Sequence, residues 1–245
     1  MNNTVLITGA TGGVGTSICR HLDGKYNVLA VGRNKNILYN LCKTAENITP
    51  YIADISNPEV LEELLDMLLA RHGYIPYVIN NAGIMITGNV TELETKEMQS
   101  SLQVNVLAPF RIMQRLLQAM LDRDYGRIIN ITSGAPLNCF AGYSAYSVSK
   151  GALNALTVTA AKEHLHQNIK INLMSPGPVR SGMAPNAPMN PEVCHPTLDF
   201  LLNLDADGPT GRFFWLEREI PLFPDLEGLN WLKGTASERF ARIMP

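Results

Sequence analysis

The chain has 245 residues, 46% of them hydrophobic and 17% charged, with a formal charge of -2 at pH 7. That length suits one large α/β domain or two small ones, and the apolar fraction is ample for a core. Scattered Lys and Arg with near-neutral charge give no electrostatic footprint for nucleic acid or an anionic membrane, and no apolar run approaches the roughly 20 residues of a membrane span. The four cysteines (Cys19, Cys42, Cys139, Cys194) are far apart and lack metal-ligand spacing, which points to a reducing, cytoplasmic compartment and to no metal site. His164 and His166 are two apart on a helix, point different ways, and make no chelating pair. The first strand begins within a few residues of Met1, so no signal peptide is expected.

Residues 4–8 (Thr-Val-Leu-Ile-Thr) read as a short apolar strand, and residues 14–22 as a helix. Between them lies Gly9-Ala-Thr-Gly-Gly-Val-Gly15, a turn that lets backbone N–H groups approach a diphosphate at a helix N-terminus. Residues 27–32 form the second strand. A carboxylate just past it would accept a ribose 2′-hydroxyl, but this chain has Gly32-Arg33-Asn34-Lys35. Arg33 suits a 2′-phosphate through its planar fork, so NADP(H) is preferred, with NAD(H) still possible.

The third strand (residues 49–53) ends at Asp54, and Asn57-Pro58-Glu59 caps a helix running to about His72. Residues 77–80 are a fourth strand ending in Asn80-Asn81-Ala82-Gly83. A long helix over residues 95–121 is interrupted by Asn105 and Pro109, where a kink or a freed carbonyl is expected. The fifth strand (residues 127–132) leads through Ser133 to a helix carrying Tyr146 and Lys150. Residues 168–175 form a sixth strand, Asn190-Pro191-Glu192 starts another helix, and residues 212–216 close a seventh. This alternation predicts an α/β fold: one doubly wound, mostly parallel seven-stranded sheet with helices on both faces. The domain spans residues 1–216. A tail over 217–245, with a helix from Ser237 to Met244, packs on it or on a neighbouring subunit.

Tyr146 and Lys150 stand four apart and share one helix face. A phenol titrates near 10, too high for easy proton exchange at neutral pH. A cation roughly 4 Å away is worth about 4 kcal/mol at an effective dielectric near 20, enough to lower that pKa by up to about three units. Tyr39 and Lys43 share the spacing, but no hydroxyl at a strand end precedes them as Ser133 precedes Tyr146.

Together these residues resemble the short-chain dehydrogenase/reductase family, in its compact branch of about 250 residues, over roughly residues 4–216. The resemblance implies a Rossmann-type domain and assigns Asn105, Ser133, Tyr146 and Lys150 to the catalytic tetrad. Ser133 would hold the substrate oxygen, Tyr146 would exchange its proton, and Lys150 would lower the Tyr146 pKa and hold ribose hydroxyls. Asn105 would anchor a water joining Lys150 to solvent. Cofactor contacts are implied at Gly9, Thr11, Gly12, Gly13, Val14, Gly15, Arg33, Asp54, Ile55, Asn81, Ala82 and Gly83. They continue at Tyr146, Lys150, Pro176, Gly177, Val179 and Ser181, the last standing where Thr is usual. Ser133, Ala135, Tyr146 and Met183 would meet substrate. Residues 208–214 resemble the last strand of carbonyl-reductase-like members, which implies NADPH-dependent reduction of a ketone or aldehyde. Apolar walls at residues 84–86 and 135–142 suit a neutral carbonyl compound, and the short segment 182–190 suits a shallow lid. Many relatives are homodimers or homotetramers joined through the helices of Asn105 and Tyr146. A non-catalytic NADP(H) sensor and a nucleotide-sugar epimerase are the competing readings, since Gly9, Gly12 and Gly15 also fit the epimerase-like spacing.

Overall fold

The computed structural model describes residues 3–224, together with Glu227, residues 229–230 and residues 235–237. Eight strands form one sheet: β1 (Thr4–Thr8), β2 (Asn27–Gly32), β3 (Ile48–Ile52), β4 (Tyr77–Asn80), β5 (Gly126–Ile131), β6 (Ile169–Met174), β7 (Phe213–Trp215) and β8 (Arg218–Ile220). Their order is β3-β2-β1-β4-β5-β6-β7-β8. The first seven pair in parallel and β8 runs antiparallel to β7. β1, β5 and β6 are buried throughout, as expected of mostly apolar strands with helices on both faces, and they carry the buried polar residues Arg127, Asn130, Lys170 and Asn172.

The helices are α1 (Gly13–Leu22), α2 (Lys35–Cys42), α3 (Pro58–His72), α4 (Thr95–Leu102), α5 (Ala108–Leu121), α6 (Ala135–Asn138), α7 (Ser144–Glu163) and α8 (His195–Leu202). On one face Ile18, Leu22, Leu38, Leu198 and Leu201 pack against Val5, Ile7 and Phe214. On the other, Leu61, Leu65, Ile112, Leu116 and Ala161 pack against Leu6, Val78 and Ile128. Burying two such layers supplies the main driving force, at about 25 cal/mol per Å² of apolar surface. The strand order reverses at β1, which has β2 on one side and β4 on the other, and this opens a crevice at the carboxyl ends of the strands.

Asn57 caps α3 as its sequence predicts, its side chain accepting from Glu59 N at 2.9 Å and Val60 N at 3.2 Å. Three expectations need correction. The sheet has eight strands rather than seven, because Arg218–Ile220 folds back onto β7 and carries the sheet past residue 216. The helix expected over 95–121 is α4, a π-helical turn at Gln103–Leu107, and α5. Asn105 lies inside that wide turn and Pro109, which has no N–H to offer an upstream carbonyl, follows it in the same helical run, so the interruption falls where the sequence places it but takes a π form. Pro191–Cys194 is a 3₁₀ turn, and α8 begins only at His195. In the tail, Leu229–Asn230 pairs antiparallel with Thr235–Ala236. The helix expected from Ser237 lies, beyond that residue, outside the described residues.

Candidate active site

The glycine-rich turn is shaped by close approach. Gly9 has φ +68°, and its carbonyl oxygen accepts from Gly12 N at 3.0 Å. A Cβ on Gly15 would collide with that oxygen and lie 2.7 Å from Asn81 Nδ2. Asn81 Nδ2 donates to the Thr8 and Gly9 carbonyls at 3.0 and 3.2 Å, and Thr8 Oγ1 accepts from Ala82 N at 3.1 Å. The Asn80–Gly83 motif thus clamps the end of β4 to the end of β1. No side chain caps α1 and its first turn holds no acid, so the backbone N–H groups there are open to an anion. Thr11 and Val14 are half-buried beside the exposed Gly12 and Gly13.

Beyond β2, Arg33 is exposed, and its Nη1 lies 3.5 Å from Asp54 Oδ2, a loose pair. Burial pushes the Asp54 carboxyl up, but hydrogen bonds from Ser56 and the Arg33 charge outweigh it and leave the pKa below the ordinary value. Ile55 is buried, and its side chain belongs to the core.

On the far side of the crevice, Ser133 follows β5, and its Oγ accepts from Ala135 N at 3.1 Å. Its hydroxyl also hydrogen-bonds the half-buried Tyr146 phenol. Lys150, only 4% exposed, donates to the Ile131 carbonyl at 2.7 Å, and its Nζ stands 5.9 Å from the centre of the Tyr146 ring. Asn105, fully buried in the π turn, accepts from Ile84 N at 2.9 Å and donates to the Ile84 carbonyl and Ser149 Oγ at 2.9 Å each. Gly83 joins the two: a Cβ there would sit 3.1 Å from Asn105 Oδ1 and 3.4 Å from Lys150 Nζ. The decoy lacks all of this, as Tyr39 is exposed and the cation over its ring is Lys35, at 5.6 Å.

The electrostatics correct one expectation. Burial pushes the Tyr146 pKa up, and the Ser133 hydrogen bond only partly offsets it. Burial also pulls Lys150 down to about 8. A desolvated ammonium turned toward a carbonyl does not outweigh the phenol's own loss of water.

The segment after β6 closes the crevice. Arg180 N donates to Met189 O at 2.8 Å, and Met189 N donates to Pro178 O at 3.3 Å, so residues 178–189 form a loop pinned at its base. A Cβ on Gly13 would lie 3.2 Å from Arg180 O and Ser181 Cα, which places this loop against the glycine-rich turn. Val179 is buried beneath the loop and Met183 is exposed on it. Pro176 and Gly177 are half-buried.

The family model for short chain dehydrogenase matches residues 3–191. The chain belongs to the short-chain dehydrogenase/reductase family. It is 31% identical over 178 residues to an uncharacterized oxidoreductase of Staphylococcus aureus (strain MW2), covering 71% of this chain and 77% of the relative. It is 28% identical over 189 residues to the 3-oxoacyl-[acyl-carrier-protein] reductase FabG of Thermotoga maritima, covering 75% and 76%. Among solved structures, ElxO with NADP bound superposes with a TM-score of 0.79 at 26% identity, covering 88% of this chain and 97% of that one.

This short-chain dehydrogenase/reductase holds further polar groups that sequence reasoning passed over. Ser149 links the Asn105 side chain to the Tyr146 carbonyl, which its Oγ reaches at 2.9 Å. Thr132 Oγ1 donates to Asn154 Oδ1 of α7 at 2.5 Å, holding β5 to the helix of Tyr146. The signal for both lay in polar residues on the buried stripe of α7, at 149, 150, 154 and 157.

Proposed function

We propose that this short-chain dehydrogenase/reductase is an NADP(H)-dependent reductase of ketones or aldehydes, acting in reverse on secondary alcohols. The observation that carries the reading is the convergence of Ser133, Tyr146, Lys150 and Asn105 on the crevice that also holds the glycine-rich turn. The uncapped start of α1 and the close-packed glycines fit a diphosphate. The exposed guanidinium of Arg33, only loosely held by Asp54, fits a 2′-phosphate. NADP is also what ElxO carries in its solved structure. When bound, NADP(H) supplies the hydride that reduction needs.

In this reading Ser133 Oγ donates to the substrate carbonyl oxygen and Tyr146 delivers a proton to the same atom. A phenol kept protonated by burial suits the acid of a reduction. Lys150, whose pKa stays at about 8, is cationic at pH 7 and offsets the charge left on the phenolate. Asn105 and Gly83 hold the Lys150 end of this chain of groups. The exposed Leu107, Phe110 and Val148 on the adjoining helices support a homodimer or homotetramer through that face. Four unpaired cysteines support a reducing, cytoplasmic setting.

Tyr146→Phe tests the reading. Turnover of a carbonyl panel should fall by about 10²–10⁴-fold while NADPH affinity changes little. Undiminished turnover would refute it and return the non-catalytic sensor to first place.

A further inference from the structure

Trp215 ends β7, the strand next to β6. Ile131, Met174 and Phe214 lie level across β5, β6 and β7. The ladder continues one residue further, with Thr132 N donating to Met174 O at 2.8 Å and Ser175 N to Phe214 O at 3.0 Å. Thr132, Ser175 and Trp215 are therefore level, and residues level across a parallel sheet point to the same face. Thr132 points toward α7, where its Oγ1 meets Asn154. Phe213, two residues before Trp215, lines a groove with Val158 and Lys162 of α7. Phe214 faces the other way, into the core with Ile18 and Leu198. Trp215 thus lies on the sheet face that carries Tyr146 and Lys150.

Its indole reaches the loop that closes the crevice. A Cβ on Gly177 would lie 2.8 Å from Trp215 Nε1 and 3.7 Å from Met189 Sδ, and Gly177 itself has φ +86°. Trp215 is 37% exposed, and among the described residues its N–H has no hydrogen-bond acceptor. Leu216 and Glu217, which follow it, both have positive φ (47° and 60°), a conformation that β-hairpin turns usually give to Asn and Gly. Glu217 N is tied to Thr197 Oγ1 of α8 at 2.9 Å. Local strain held by a tertiary contact fixes where β7 ends and hence where the indole stands. β5 and β7 flank β6, so the strand ends that lead to Ser133 and carry Trp215 stand about 10 Å apart on the rim of the crevice.

We infer that Trp215 is a substrate-selecting wall of this site, favouring carbonyl compounds that carry an aromatic or extended hydrocarbon arm. The inference rests on the carbonyl-reductase reading above. An indole face beside the Met189 thioether offers apolar contact to such an arm, and the free N–H offers one donor at its edge.

The test uses the full chain, with acetophenone and 2-butanone as probes. Trp215→Ala should raise the KM for acetophenone about tenfold relative to any change for 2-butanone, with the KM for NADPH held. Trp215→Phe, which keeps the ring and loses the N–H, should recover most of the difference. Equal shifts for both ketones would overturn the inference. So would a matching rise in the NADPH KM, which would make Trp215 a support for the Gly177 loop alone. Saturation-transfer NMR of acetophenone with NADP⁺ present repeats the comparison without turnover. If the wild type reduced neither ketone, the reductase reading would fail, and this binding arm would still decide the role of Trp215. Signal weakened in Trp215→Ala and kept in Trp215→Phe upholds the wall; signal equal in all three variants, or absent from the wild type, removes it. A Trp215→Ala that does not fold leaves Trp215→Phe and Trp215→Leu to make the same comparison.

Discussion

Replacing Lys150 with Met should separate what the cation does for the site from what it costs the fold. The ammonium is buried, has one protein acceptor in the Ile131 carbonyl, and titrates at about 8 instead of 10.5. Between those two values the unfolded chain binds the proton and the folded chain releases it, so stability rises with pH across the window and the penalty is greatest below it. Two and a half units correspond to about 3 kcal/mol at pH 7, shrinking to under about 1 kcal/mol by pH 10. Met fills similar space but leaves the Ile131 carbonyl without that donor, a loss of about 1–3 kcal/mol. The variant should therefore be about 1 kcal/mol more stable than the wild type at pH 7 and less stable by a similar amount at pH 10. Paired urea unfolding at the two pH values measures this. The thiols of Cys19 and Cys194, pushed up to about 12 by burial, weaken both proteins alike at high pH and cancel in the difference. A stability difference that does not change with pH, or that moves in the variant's favour as pH rises, would refute the reasoning.

Two other substitutions address the cofactor side. Arg33→Ala should weaken NADPH by about tenfold or more and NADH by much less, because one charge-assisted contact is worth about 1.5–3 kcal/mol; a competition titration reads the ratio, and equal losses would remove Arg33 from the 2′-phosphate. Gly15→Ala places a methyl against the Gly9 carbonyl and Asn81, so thermal unfolding should show a loss of about 1–3 kcal/mol together with weaker NADPH binding; an unchanged Tm would mean the turn has slack that its packing does not suggest.

Much of the sheet was legible because burial on both faces makes the central strands mostly apolar, and the caps at Asn57 and the turn at Gly9 follow from single-residue chemistry. The grouping of Ser133, Tyr146 and Lys150 was legible for the same reason, since a strand end and one helix face bring them together. The Tyr146 pKa was not, because spacing gives the distance between two groups but not the water each loses when both are buried. The interruption at Asn105 and Pro109 was legible, but its π form was not, because one extra residue in a helix leaves no compositional mark. β8 escaped because Leu216-Glu217 is not a turn sequence. The Thr197 contact and the strand pairing hold those residues at positive φ.

That reversal also sets the direction in which the chain leaves the sheet. β8 runs back down from the rim that carries the candidate active site, and Pro221, Leu222 and Phe223 emerge at the opposite end, beside Leu165 and the last turn of α7. Whatever the final two dozen residues do, they set out from the floor of the molecule rather than its mouth. A label or fusion attached just after Phe223 would begin well clear of arriving substrate.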